Sequence, residues 1–160
     1  MLRRLIVISL FALLVAGLSS AADAPWFDFA NCSMCKVIGQ NPEMMKSISW
    51  EQHDISNGIV CVTTVPDKYL DAYRAAHESM AEIGARLMKG EQMYLCGSCQ
   101  ALGKCLAENP HQEYAQTDHG DVWILTSDNP EVVAALQEWA KRSTEEMAKM
   151  TATPAPKTEG

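Results

Sequence analysis

Two hydrophobic periods alternate along the chain, and the switches between them mark its elements. Cys32 opens a short helical stretch that Pro42 interrupts. Asn41 can cap a second turn, with Pro42 in its first position and Glu43 favourable to the helix dipole. Two β-like runs follow, "SISWEQHDI" and "IVCVTTV", joined by Ser56-Asn57-Gly58. Asn-Gly between such runs predicts a type I′ hairpin turn, whose central residues take positive φ. Thr64-Val65-Pro66-Asp67 then starts a long helix with an apolar stripe at Leu70, Tyr73, Ala76/His77, Met80, Ile83 and Leu87. Gly90 ends it.

The second half repeats the plan. Cys96 opens a helix to about Glu108, and Asn109-Pro110 stops it. "QEYAQTD" and "DVWILTS" read as strands around His119-Gly120. Asn129-Pro130-Glu131 caps a final helix with the stripe Val132, Val133, Leu136, Trp139, Ala140, Ser143 and Met147. A shift of 64 residues aligns Cys32 with Cys96, Cys35 with Cys99, Gly39 with Gly103, Trp50 with Tyr114, Gln52 with Gln116, Asp54 with Asp118 and Pro66 with Pro130. The turns slip by two, because Gly58 matches Gly120. The expected fold is α+β: a pseudo-twofold duplication of a helix–β-hairpin–helix unit, with antiparallel sheet or sheets covered by two long helices. A lone hairpin is marginal, so the two halves must join.

The N-terminus reads as a targeting segment. Arg3 and Arg4 precede an apolar run from Leu5 to Leu18, and Ala22-Asp23-Ala24 fits a signal-peptidase site. The run is shorter than the ~20 residues of a membrane-spanning helix. Residues 1–24 are therefore expected to be a signal peptide. Residues 25–150 form one duplicated domain, with repeats at about 31–90 and 95–150, and 151–160 are a Pro/Thr-rich disordered tail. The expected location is periplasmic or secreted, with no stable membrane anchor after cleavage.

Loss of that segment moves the formal charge from −7 to −8. An acidic chain without a basic cluster offers no footprint for nucleic acid, and nothing in it names a protein partner. No Ser/His/Asp order, phosphate-cradling loop or spaced carboxylate pair marks an enzyme.

Cysteine carries the candidate chemistry. Cys32 and Cys35 form one CxxC pair, and Cys96 and Cys99 form another. Cysteines three apart on a helical turn share a face, and a helix N-terminus favours the thiolate. If the pairs converge near the pseudo-twofold axis, four thiolates give a closed tetrahedral metal site, zinc before copper, with a structural or sensory role. Methionines at 34, 44, 45 and 93 lie near a CxxC in sequence and keep copper in view as a soft-ligand alternative. The same four cysteines would serve a thiol–disulfide oxidoreductase, although the βαβ setting of such enzymes is missing. In an oxidising compartment they could instead be disulfide staples of a binding module without metal.

Lys36 and Gln100 stand where the His of CxxCH would be, against a c-type haem. Cys61 and Cys105 are secondary candidates, each a buried hydrophobe or a partner for the other. His77 lies on the inward stripe, as a hydrogen-bonded core residue or a further ligand. His53, His111 and His119 read as structural, His119 at a turn that tolerates positive φ.

Overall fold

The computed structural model describes residues 24–152. The N-terminal segment read as a signal peptide lies outside the described residues, apart from Ala24, and so does the tail beyond Ala152.

The chain runs α1 (Cys35–Gly39), α2 (Pro42–Ser47), β1 (Ser49–Ile55), β2 (Gly58–Thr64), a 3-10 turn (Asp67–Tyr69), α3 (Leu70–Met88), α4 (Gly97–Ala107), β3 (His111–Thr117), β4 (Gly120–Thr126) and α5 (Pro130–Ala152). The expected mixed architecture is present as a single four-stranded antiparallel sheet in the order β1-β2-β4-β3. Each hairpin contributes its second strand to the centre. Gly58 pairs with Thr126 and Thr64 with Gly120, so Cys61 faces Trp123 at the midpoint. A shift of 62 residues maps β2 onto β4, and this register maps onto itself under that exchange.

Several boundaries follow local chemistry. Asn41 caps α2, its side chain accepting the Met44 backbone N–H at 3.1 Å. The helix expected to open at Cys32 begins at Cys35, because residues 31–34 form turns before it. Pro66 leads into the 3-10 turn, which delays α3 to Leu70. Asn109 ends the α4 segment at φ 53, and Gly90 follows α3 at φ 86. Helix α5 continues through Thr151 and Ala152, where the tail was expected to begin.

The type I′ expectation fails. Ile55 pairs with Gly58, so the loop is Ser56-Asn57, and neither residue has positive φ. His119 likewise has none; among the described non-glycine residues only Asn109 does. The glycines serve strand approach instead. A Cβ on Gly58 would lie 1.9 Å from the Leu125 carbonyl oxygen, and one on Gly120 would lie 2.0 Å from that of Thr63. Close backbone packing across β2·β4 therefore requires glycine at both symmetric ends.

One face of the sheet carries the core. Ile59, Cys61 and Thr63 of β2 stand beside Leu125, Trp123 and Asp121 of β4. Ile59 and Leu125 are fully buried with Val132, Leu136 and Ala140 of α5 and Cys105 of α4. Complete burial of each such aliphatic side chain contributes about 1.5–3 kcal/mol. A second cluster, Ile38, Met44, Ile48, Val65, Tyr73 and Ala76, joins α1, α2 and α3. The long helices do not cover the sheet alike. Helix α5 lies over β1 and β2 and packs on α4, whereas α3 packs on α1 and reaches β4 through a Tyr73–Asp121 hydrogen bond. Gln137 of α5 donates to the Ile55 carbonyl at 3.0 Å, so the second half's helix is tied to the first half's hairpin.

Candidate metal centre

The two CxxC pairs converge. The Sγ atoms of Cys32, Cys35, Cys96 and Cys99 all lie within 4.8 Å of one another. Cys35 Sγ is 3.5 Å from both Cys96 Sγ and Cys99 Sγ, and Cys32 Sγ is 3.7 Å from Cys99 Sγ. A disulfide needs sulfurs about 2.05 Å apart. All six cysteines are free thiols, so the staple expectation and the Cys61–Cys105 pairing both find no bond. A tetrahedron with Zn–S bonds of about 2.3 Å has edges of about 3.8 Å, and the three distances match it to within a few tenths of an ångström.

Backbone geometry explains the convergence. Cys96 is the N-cap of α4 and Cys99 lies in its first turn. The Cys96 carbonyl accepts the Gln100 N–H at 2.9 Å, and the Cys32 carbonyl accepts the Lys36 N–H at 3.0 Å, so both pairs sit on the same kind of turn. The lead fastens one turn to the other. Ser33 donates its N–H to the Tyr94 carbonyl, while Gly97 and Ser98 donate theirs to the carbonyls of Pro25 and Trp26, all at 2.9 Å. Trp26 is itself pinned by an indole hydrogen bond to Ser143 of α5 (3.2 Å) and lies under the Arg142 guanidinium, 4.0 Å from the ring centroid. Trp139 of α5 donates to Ser98 Oγ at 3.0 Å.

The electrostatics separate the four sulfurs. Cys32 and Cys96 are fully buried; Cys35 and Cys99 are partly exposed. Contact with the Cys35 thiol, then with Cys96 and Cys99, holds Cys32 far below the ordinary thiol range. Cys96 is drawn down to about 6: contact with Cys32 opposes this, and contacts with Cys35 and Cys99 outweigh it. The backbone N–H of the third residue on supports each of these thiolates. Cys35 is pushed far above the range by contact with Cys32 and then Cys96, against an opposing contact with Cys99, and Cys99 is pushed far above it by Cys32, then Cys35 and Cys96. Four thiolates this close repel strongly, so the set favours a cation among them.

The remaining candidates lie elsewhere. Cys61 and Cys105 belong to the α5 core cluster. Burial, with Asp121 nearby, pushes Cys61 up to about 12, and burial raises Cys105. Both are inert packing thiols. His53, His111 and His119 are exposed, each 3.0–3.3 Å from a carboxylate. His77 is not the simple core histidine expected. It bonds two tyrosines, Tyr73 at 2.8 Å and Tyr114 at 3.3 Å, beside buried Asp121. The sequence reading missed Asp121; its one signal is an acid on the alternation face of Trp123 and Leu125.

Comparison of the chain with known protein families, curated proteins and solved structures finds no match.

Proposed function

We propose that this is an exported metal-binding protein that holds one zinc ion through Cys32, Cys35, Cys96 and Cys99. The observation that carries the reading is the meeting of four free sulfurs, within 4.8 Å of one another, from pairs about 60 residues apart. Four-sulfur tetrahedral sites are the province of zinc or iron–sulfur chemistry, which favours zinc over copper. No ligand position stays open, so the ion's role is structural or sensory rather than catalytic. We read the repeated element order and the self-matching β2·β4 register as the trace of a duplicated helix–hairpin–helix unit, each copy giving one CxxC. Export rests on the N-terminal sequence. Among the described residues no helix is long and apolar enough to cross a membrane.

Metal analysis and a thiol count on the purified chain test the proposal. One zinc per chain, with four thiols that react only after chelation, is expected. Protein recovered with neither metal nor free thiols overturns it. Thiol–disulfide exchange activity lost in Cys32→Ser or Cys96→Ser would establish the redox alternative.

A further inference from the structure

Tyr73, His77, Tyr114 and Asp121 form a second cluster, of hard oxygen and nitrogen donors. The geometry points to a second metal centre in which Tyr73 Oη, His77 Nε2 and Asp121 Oδ2 bind a hard transition-metal ion, ferric iron before others. Tyr73 Oη lies 2.8 Å from His77 Nε2 and 2.6 Å from Asp121 Oδ2, and those two are 3.7 Å apart. Three atoms with these separations lie on a circle of radius about 1.9 Å. An ion about 2.0–2.1 Å from each therefore fits just under ~1 Å off their plane, at ordinary metal–oxygen and metal–nitrogen lengths.

Tyr114 supplies the outer support that such a site needs. Its hydroxyl lies 3.3 Å from His77 Nδ1, the other ring nitrogen, and donates to Asp121 Oδ2 at 3.2 Å. A partner on the far imidazole nitrogen fixes tautomer and ring orientation in metal-ligating histidines. The cluster is buried at Tyr73 and Asp121 and opens toward the surface at His77 and Tyr114. Asp121 is 5% exposed, His77 34%, and Tyr114 sits on edge strand β3. Water or a small ligand can thus complete the ion's coordination.

The corresponding positions of the other half carry no such cluster. Under the shifts that relate the halves, Asp121 corresponds to Ile59, which is fully buried and apolar, and Tyr73 and His77 correspond to Gln137 and Lys141. The repeat pattern therefore does not by itself call for a buried acid at this position. Phenolate and carboxylate are hard donors suited to a hard, highly charged ion, in contrast to the soft sulfurs of the cysteine centre. On binding, Tyr73 releases its hydroxyl proton to solvent as its oxygen bonds the metal; no electron is transferred.

Ferric citrate added to the full chain tests this. The chain is first loaded with one equivalent of zinc and desalted, so that the four-thiolate site is filled and the thiols do not compete while the oxygen–nitrogen site stays open. Iron retained after a second desalting, about one per chain, with a visible phenolate-to-iron charge-transfer band, is expected. Tyr73→Phe abolishes the band. His77→Gln, at a partly exposed position that leaves the core intact, loses the iron. Tyr114→Phe keeps the band but weakens iron binding about 10–100-fold. Wild-type protein that retains no iron overturns the assignment. So does a band unchanged in both Tyr73→Phe and His77→Gln.

Discussion

Zinc at the cysteine centre should stabilise the fold by an amount set by chain topology. Its sulfurs join residues 61 to 67 positions apart. In the unfolded chain, one zinc can engage all four only by closing a loop of that length. The entropic cost is about 4 kcal/mol at 25 °C. The folded chain already holds both pairs together, so zinc taken up there should be held more tightly than by the unfolded chain by about this much, and linkage converts the difference into stability. Urea unfolding followed by far-UV circular dichroism, in saturating zinc and again in EDTA, measures it. With a denaturant slope of about 2 kcal/mol per molar for a domain of this size, the midpoint should fall by about 2 M on chelation. Cys96→Ser/Cys99→Ser leaves one pair to bind zinc locally and should lose nearly all of the response. Equal midpoints in zinc and EDTA for the wild type, or a full response in the double variant, would refute the idea of a clip between the halves.

Other outcomes follow from the packing. Leu136→Ala, at a fully buried position of α5, should cost about 2–5 kcal/mol by urea titration while retaining the fold. Gly58→Ala and Gly120→Ala should each destabilise severely, because the new methyl meets a backbone oxygen at 1.9 or 2.0 Å. Gly103→Ala in α4 has open space and should gain about 0.5–1 kcal/mol. Cys61 makes stability depend on alkaline pH. An unfolded thiol loses its proton near 9.0, whereas folded Cys61 keeps it to about 12. Its contribution is thus complete below pH 9 and declines between 9 and 12; Cys61→Ala should flatten that part of the profile in urea titrations at stepped pH.

Much of this was legible because the signals are local. The element order, the Asn41 cap and the stop at Asn109 each depend on a few neighbouring residues. The likeness of the two cysteine pairs pointed to a common site, although only the folded chain shows their sulfurs in contact. What escaped notice depends on distant partners. The joining of two hairpins through β2 and β4 decides why Gly58 and Gly120 are glycine, and a turn motif read from Asn57-Gly58 cannot see Leu125. Asp121 was missed for the same reason: its partners come from α3 and β3, 44 to 48 and 7 residues away.

The central register also bears on how the chain can go wrong. Until β4 is available, β2 presents the edge "GIVCVTT", rich in β-branched residues, with no partner on that side. Because β2 and β4 are exchangeable around the Cys61–Trp123 midpoint, the β2 edge of a second molecule can dock antiparallel in nearly the same register. Intermolecular strand exchange between incompletely folded chains is therefore the hazard that this register predicts, to be read as concentration-dependent loss of refolding yield. Anything that speeds the docking of the C-terminal hairpin, a metal bridge between the halves included, works against aggregation as well as for stability.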